Sequence, residues 1–196
     1  PVILILSLRV TVLFDGVTVK GSGYATGVQH VNTVTYKNVT VIGEMCLYGE
    51  NASFTNCTFE LNKQYIWVYG CKVVSFDQCT FNTNGKAILV YNEGAGKNEV
   101  TVTNCTFNAT EGAKAGEIAN QNCAAIEINN NQSSGIGAAH KVTTSNNTVA
   151  TNFSGEWRIK NYVNGYPINV NGVDYTSLAI DGKLMTIDSN KNVTVE

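Results

Sequence analysis

The chain has 196 residues, enough for a single domain with a continuous core. Charged residues make up only 14% of it and the formal net charge is −2, which leaves no electrostatic footprint for nucleic acid or an anionic membrane, and no run of like charge marks an interaction tail. Two prolines among abundant Gly, Asn, Thr and Val exclude a flexible linker.

The chain opens on its longest apolar run, Pro1-Val2-Ile3-Leu4-Ile5-Leu6-Ser7-Leu8. This run lacks a basic leader, a small-residue cleavage site and the length to span a bilayer, so it reads as a buried strand leading into Val10–Leu13 rather than as a signal-peptide remnant. The abrupt start at Pro1 suggests a piece of a longer protein.

From residue 14 a six-residue phrase recurs. Its copies are Phe14–Val19, Tyr36–Val41, Phe54–Phe59, Phe76–Phe81, Val102–Phe107 and Thr144–Val149, the third, fourth and fifth ending Cys-Thr-Phe. The fourth residue of each copy falls at 17, 39, 57, 79, 105 and 147, in steps of 22, 18, 22, 26 and 42. A period near 22 built from short β-rich pieces predicts a solenoid whose repeats bury their apolar faces only against their neighbours.

Each coil reads as three strands. The first contains segments such as Val73–Phe76 and Val100–Val102, and the second Cys79–Phe81 and its relatives. The third contains Tyr65–Tyr69, Ala87–Tyr91 and Ala125–Asn129, with Cys46–Tyr48 and Trp157–Lys160 as outer members. Because side chains alternate along a strand, Val19, Val41, Phe59, Phe81, Phe107 and Val149 share one inward column. Ile66, Ile88 and Ile126 form a second, and Val68, Val90 and Ile128 a third. Between the first two strands sits a bend occupied by Gly16, Asn38, Asn56, Gln78, Asn104 and Asn146. Asn and Gly accept left-handed backbone angles there, and stacked amides can bond from coil to coil.

Cys57, Cys79 and Cys105 hold one repeat position, so they stack in a column where three residues cannot all pair, and they read as small buried hydrophobes. Cys46, Cys71 and Cys123 have neither CxxC spacing nor nearby histidines, so no metal site is predicted. Two coils are lengthened, by residues 108–123 and 129–141, and such excursions either line a binding site or are tolerated insertions. Val170-Asn171-Gly172-Val173 and Ile180-Asp181-Gly182-Lys183 read as tight hairpins. Residues 1–164 are therefore expected to form the helix, and residues 165–196 an antiparallel cap in the same domain that blunts its open end.

The Asn-Cys-Thr-Phe phrase, the Tyr-Ile-Trp-Val-Tyr-Gly and Ala-Ile-Leu-Val-Tyr-Asn strands and the closing Gly-Val-Asp-Tyr resemble right-handed parallel β-helix proteins of the pectate-lyase-like superfamily. More narrowly, they resemble secreted or surface-anchored proteins of gut bacteria. The resemblance covers roughly residues 10–175. It implies an all-β fold, a right-handed parallel β-helix of about seven or eight coils. It leaves function open, because the superfamily includes lyases, hydrolases, adhesins and phage tailspikes.

Among the outward residues, the second strand carries Thr18, Thr40, Thr58, Thr80, Thr106 and Thr148 without exception. An ice-binding array would need a second regular column, and Lys20, Ile42, Glu60, Asn82, Asn108 and Ala150 do not supply one. The same threonines complete glycosylation sequons, yet Thr18 and Thr80 persist beside Gly16 and Gln78, so strand preference explains them better. The third strand is more suggestive. Trp67 and Tyr69 should lie beside Leu89 and Tyr91, then Glu127 and Asn129, then Arg158 and Lys160. An exposed aromatic pair flanked by Asn92, Glu127 and Arg158 is a platform for sugar rings. The same patch also suits a protein interface, or packing beneath the loop 108–123.

Catalysis is poorly supported. The related lyases and hydrolases gather carboxylates, whereas the five aspartates here are Asp15, Asp77, Asp174, Asp181 and Asp188, spread over distant corners and the tail. Glu127 beside Arg158 reads as an ordinary surface ion pair. His30 and His140 have no nucleophile pattern near them. No catalytic residue, metal or cofactor is assigned. The expected role is a non-catalytic module, extracellular or at the cell surface of a bacterium, either adhesin-like and glycan-binding or a structural stalk. Its partners would be a polysaccharide or host glycan, or further copies of itself. No nucleic-acid contact or membrane span is expected. A polysaccharide-lyase fragment or a tailspike segment are the alternatives. The enzyme reading predicts carboxylates gathered in one cleft, the binding reading exposed Trp67 and Tyr91 with no such cluster, and the stalk reading both aromatics covered.

Overall fold

A computed structural model describes residues 11–20, 32–62, 64–91, 97–110, 123–130, 138–162, 165–175, 179–180, 183–187 and 193–195. The opening apolar run, Asn92 and most of the two long excursions lie outside these residues. In chain order the strands are β1 (Thr11–Asp15), β2 (Thr18–Lys20), β3 (Thr33–Lys37), β4 (Thr40–Ile42), β5 (Met45–Thr55), β6 (Thr58–Glu60), β7 (Ile66–Asp77) and β8 (Thr80–Thr83). They continue as β9 (Ile88–Tyr91), β10 (Lys97–Thr103), β11 (Thr106–Ala109), β12 (Ile126–Asn129), β13 (Ala139–Ser145), β14 (Thr148–Val149), β15 (Trp157–Lys160) and β16 (Ile168–Val170). The chain closes with β17 (Val173–Asp174), β18 (Ala179–Ile180), β19 (Lys183–Ile187) and β20 (Val193–Val195).

These strands form a right-handed parallel β-helix, with no helix among the described residues. The second strands of successive coils make a six-stranded parallel sheet in the order β2-β4-β6-β8-β11-β14. First and third strands join in a single eleven-stranded sheet, because β5 and β7 each run from the third strand of one coil into the first strand of the next. Pairing is in register, so like residues meet: Thr18, Thr40, Thr58, Thr80, Thr106 and Thr148 are successive partners.

Register turns the sequence columns into stacks. Phe14, Tyr36, Phe54 and Phe76 lie ring on ring, with centroids 5.1, 4.5 and 4.9 Å apart. Phe59, Phe81 and Phe107 stack at 4.5 and 4.9 Å, and the two stacks meet edge to face at 5.5 Å between Phe54 and Phe59. Offset-stacked and edge-on rings each contribute about 0.5–1.5 kcal/mol beyond the area they bury. Ile66, Ile88 and Ile126, then Val68, Val90 and Ile128, fill the opposite wall as the alternation predicts.

The bend behaves as its residues require. Gly16, Asn38, Asn56, Gln78, Asn104 and Asn146 all take left-handed φ between 53° and 64°. The Asn56 amide donates to Asn38 Oδ1 at 2.8 Å, and Asn38 donates to Asp15 Oδ1 at 2.9 Å. The ladder changes partner at Gln78: both Gln78 and Asn104 donate instead to Asp77, at 3.0 and 2.7 Å.

At the C-terminal end two inward positions turn polar. Thr144 ends the aromatic column and Asn147 takes the place held by Cys57, Cys79 and Cys105. Asn147 accepts from Cys105 N and donates to Val102 O and Glu156 Oε1, while Thr144 Oγ1 donates to Glu156 Oε2 at 3.0 Å. Asn171 closes this group through Thr144 N at 2.7 Å. Residues 168–170 still pair parallel to β13, as one more rung of the large sheet. The antiparallel part begins with the β16–β17 hairpin, whose Asn171 and Gly172 both have positive φ as a two-residue turn of this type demands. β18, β19 and β20 follow as a small antiparallel sheet, with β20 lying against β15.

Candidate functional site

The outer face of the third strands carries one continuous column. Cys46, Trp67, Leu89, Glu127 and Arg158 are successive partners along β5, β7, β9, β12 and β15. Beside it runs Tyr91, Asn129 and Lys160. The order from Trp67 to Arg158 is the one read from the sequence, whereas Tyr69, expected to head the second column beside Tyr91, is not among the paired residues.

Next to Trp67 the ladder slips. Leu47 pairs with Val68 but Tyr48 pairs with Gly70, so Tyr69 is an extra residue in a β-bulge. A Cβ on Gly70 would sit 3.0 Å from Tyr48 Cδ1, so any larger residue there would press the Tyr48 ring aside by a few tenths of an ångström. The bulge turns Tyr69 toward its neighbours. Its ring meets Tyr48 edge-on at 5.0 Å and Trp67 at 4.8 Å. Tyr91 stacks on Trp67 at 5.9 Å and 12°, and Tyr65 approaches from the other side at 6.5 Å. Bulges re-aim side chains at the places where sheets are used for recognition.

The expected exposure of Trp67 is corrected by this arrangement. The residue is only 8% exposed, because Tyr65, Tyr69, Tyr91, Cys46 and Leu89 pack around it and its indole N–H donates to the Tyr91 carbonyl at 3.1 Å. Tyr48, Tyr65, Tyr69 and Tyr91 remain half-buried. The cluster is therefore a buried indole ringed by four partly accessible tyrosines.

Glu127 also departs from the surface-pair reading. Its side chain is 4% exposed and lies between Arg158 at 2.9 Å and Lys86 at 3.3 Å. Burial pushes its carboxyl up, but Lys86, the Arg158 hydrogen bond and Lys160 together outweigh that and hold it below the usual carboxylate range. Lys86 in turn sits 5.3 Å over the Tyr65 ring, which ties the charged group to the aromatic one. Sequence reasoning missed Lys86, Tyr48 and Tyr65. Tyr48 was legible as an outer third-strand residue, whereas Lys86 lies in a turn and reaches Glu127 only because the next coil brings it there.

Trp67, Tyr69, Tyr91, Glu127 and Arg158 are thus on one face, and Asn92 lies outside the described residues. His140 is buried, with Nε2 3.0 Å from the carbonyl of Asn129, the register partner of Tyr91. No group of three or more His, Cys, Asp or Glu side chains able to hold a metal occurs among the described residues.

No curated protein and no solved structure matches the chain. The model of the right-handed beta helix region matches residues 4–195, nearly its whole length. With its stacked parallel sheets and in-register columns, the chain belongs to the right-handed β-helix family.

Proposed function

We propose that this β-helix is a non-catalytic module, extracellular or at the cell surface of a bacterium, that binds glycan on the outer face of its third strands. The observation that carries the reading is the set of half-buried tyrosines, Tyr48, Tyr69 and Tyr91, fixed around the buried Trp67. Amphipathic rings held at low conformational freedom suit the apolar faces of sugars, and their hydroxyls suit sugar hydroxyls. Glu127, Lys86 and Arg158 at the same face offer charged hydrogen-bonding groups in fixed positions. Glu127 supports binding over catalysis, since a carboxylate locked between two cations is a poor proton acceptor.

A structural stalk is the second reading, favoured by the burial of Trp67, which is what a packing residue would show. A polysaccharide panel titrated against intrinsic tryptophan fluorescence separates the two, run with the wild type and with Tyr69→Ala/Tyr91→Ala. Saturable quenching that weakens at least tenfold in the double variant, with no reducing-end or unsaturated product, is expected. A panel without any binder, together with a lower unfolding midpoint in the variant, would leave the stalk.

A further inference from the structure

Three thiols occupy consecutive rungs at one inward position. Cys57, Cys79 and Cys105 each precede a paired threonine, and Thr80 N bonds to Cys57 O while Thr106 N bonds to Cys79 O, which sets the three side by side. Each is 1% exposed. Their S–H groups also point at carbonyls, Cys57 at Thr55, Cys79 at Asp77 and Cys105 at Thr103. The Cys79 thiol also reaches the Phe54 carbonyl, as Cys57 reaches that of Tyr36 and Cys105 that of Phe76. All six cysteines are thiols in the structure. The other three occupy different columns: Cys46 is the partner of Trp67, Cys71 of Gly49, and Cys123 donates to the Ala124 carbonyl.

Rungs of a parallel sheet are ~4.8 Å apart, which falls inside the roughly 4.4–6.8 Å Cα separation that disulfides adopt. Cys57 and Cys105 are two rungs apart, about 9.6 Å, and cannot be joined without breaking the sheet. We propose that this thiol rank is an oxidative modification site in which Cys79 closes one disulfide at a time, to Cys57 or to Cys105, and so cross-links neighbouring coils. With glutathione disulfide as oxidant, the Cys57 or Cys105 thiolate attacks one of its sulfurs and expels a first glutathione. Cys79 then loses its proton, attacks the protein sulfur of the mixed disulfide and expels the second. Two thiols are oxidised, one glutathione disulfide becomes two glutathiones, and the third cysteine stays a thiol. Because the thiols are buried, the exchange belongs to the stage of folding when the coils are still open.

The test is to refold the reduced chain across a series of glutathione redox ratios, quench with alkylating agent and map the peptides by mass spectrometry. The expected product is lighter by about 2 Da before alkylation, with its one bond at Cys57–Cys79 or Cys79–Cys105. Cys105→Ala retains the first bond and Cys57→Ala the second. Cys79→Ala, and separately the Cys57→Ala/Cys105→Ala double variant, form neither. Six alkylated thiols at every ratio would overturn the proposal. So would mixed disulfides that never close, or any bond to Cys46, Cys71 or Cys123.

Discussion

The protonation state of His140 is dictated by its surroundings. Nε2 faces a backbone carbonyl, so in the neutral ring that nitrogen carries the proton, and burial lowers the pKa from 6.5 to about 4. Its register partner Asn98, also fully buried, uses its amide N–H to bond the Cys71 carbonyl at 2.8 Å. The unfolded chain protonates its histidine near 6.5 while the folded one resists until about 4, so in that interval the unfolded state binds more protons. Stability therefore falls as pH drops from 6.5 to 4, by on the order of 3 kcal/mol for this residue. Glu127 has the depressed carboxylate's behaviour, and its contribution is lost only as pH falls further, below its ordinary value of 4.5. Urea unfolding followed between pH 7 and 4 should show the first loss in wild type and a much flatter profile in His140→Gln. An unchanged slope in that variant would remove His140 as its origin.

At the scale of the element, the bend between first and second strands is the part most completely legible in the sequence. Left-handed φ is a local demand, and Asn and Gly are the residues that meet it most easily, so six positions read from one motif fall at six positive angles. The outer face was only half legible for the opposite reason. Alternation places Trp67 outward, but its burial depends on a carbonyl 24 residues later and on a bulge that pairing alone reveals. Likewise Lys86 belongs to the charged group through a partner 41 residues away. Local pattern carries the column and not what closes over it. The bend itself supports a graded prediction. Asn56→Ala loses the hydrogen bond to Asn38 and forces Ala to φ near 53°, and should destabilise by about 2–3 kcal/mol. Asn56→Gly loses only the bond, worth about 1 kcal/mol. Equal midpoints for the two in chemical denaturation would mean that the backbone angle contributes nothing.

Across the whole molecule, stability is distributed as in any stacked array, each coil leaning on the coils beside it. In the first described coil Val12, Phe14 and Val19 are only half-buried, whereas their counterparts in the second, Val34, Tyr36 and Val41, are covered. The far end is instead closed by the hydrogen-bonded group of Thr144, Asn147, Glu156 and Asn171, where an apolar column would have been left open. Position in the array should therefore decide the effect of a truncation more than residue type does. Phe81 is fully buried between Phe59 and Phe107 and edge-on to Phe76. Phe81→Ala should cost about 3–5 kcal/mol and leave a gap where the coils on either side lose contact. Val19→Ala, in the same column but only half-buried, removes less packing and should cost about 1 kcal/mol or less. Hydrogen exchange read coil by coil adds the decisive feature. A nearest-neighbour array with a central defect should lose protection most in the coils beside Phe81, while the Val19 variant loses it only in its own coil. If Phe81→Ala instead lowers protection evenly from end to end, the helix folds as one indivisible unit and the coils are not its energetic parts.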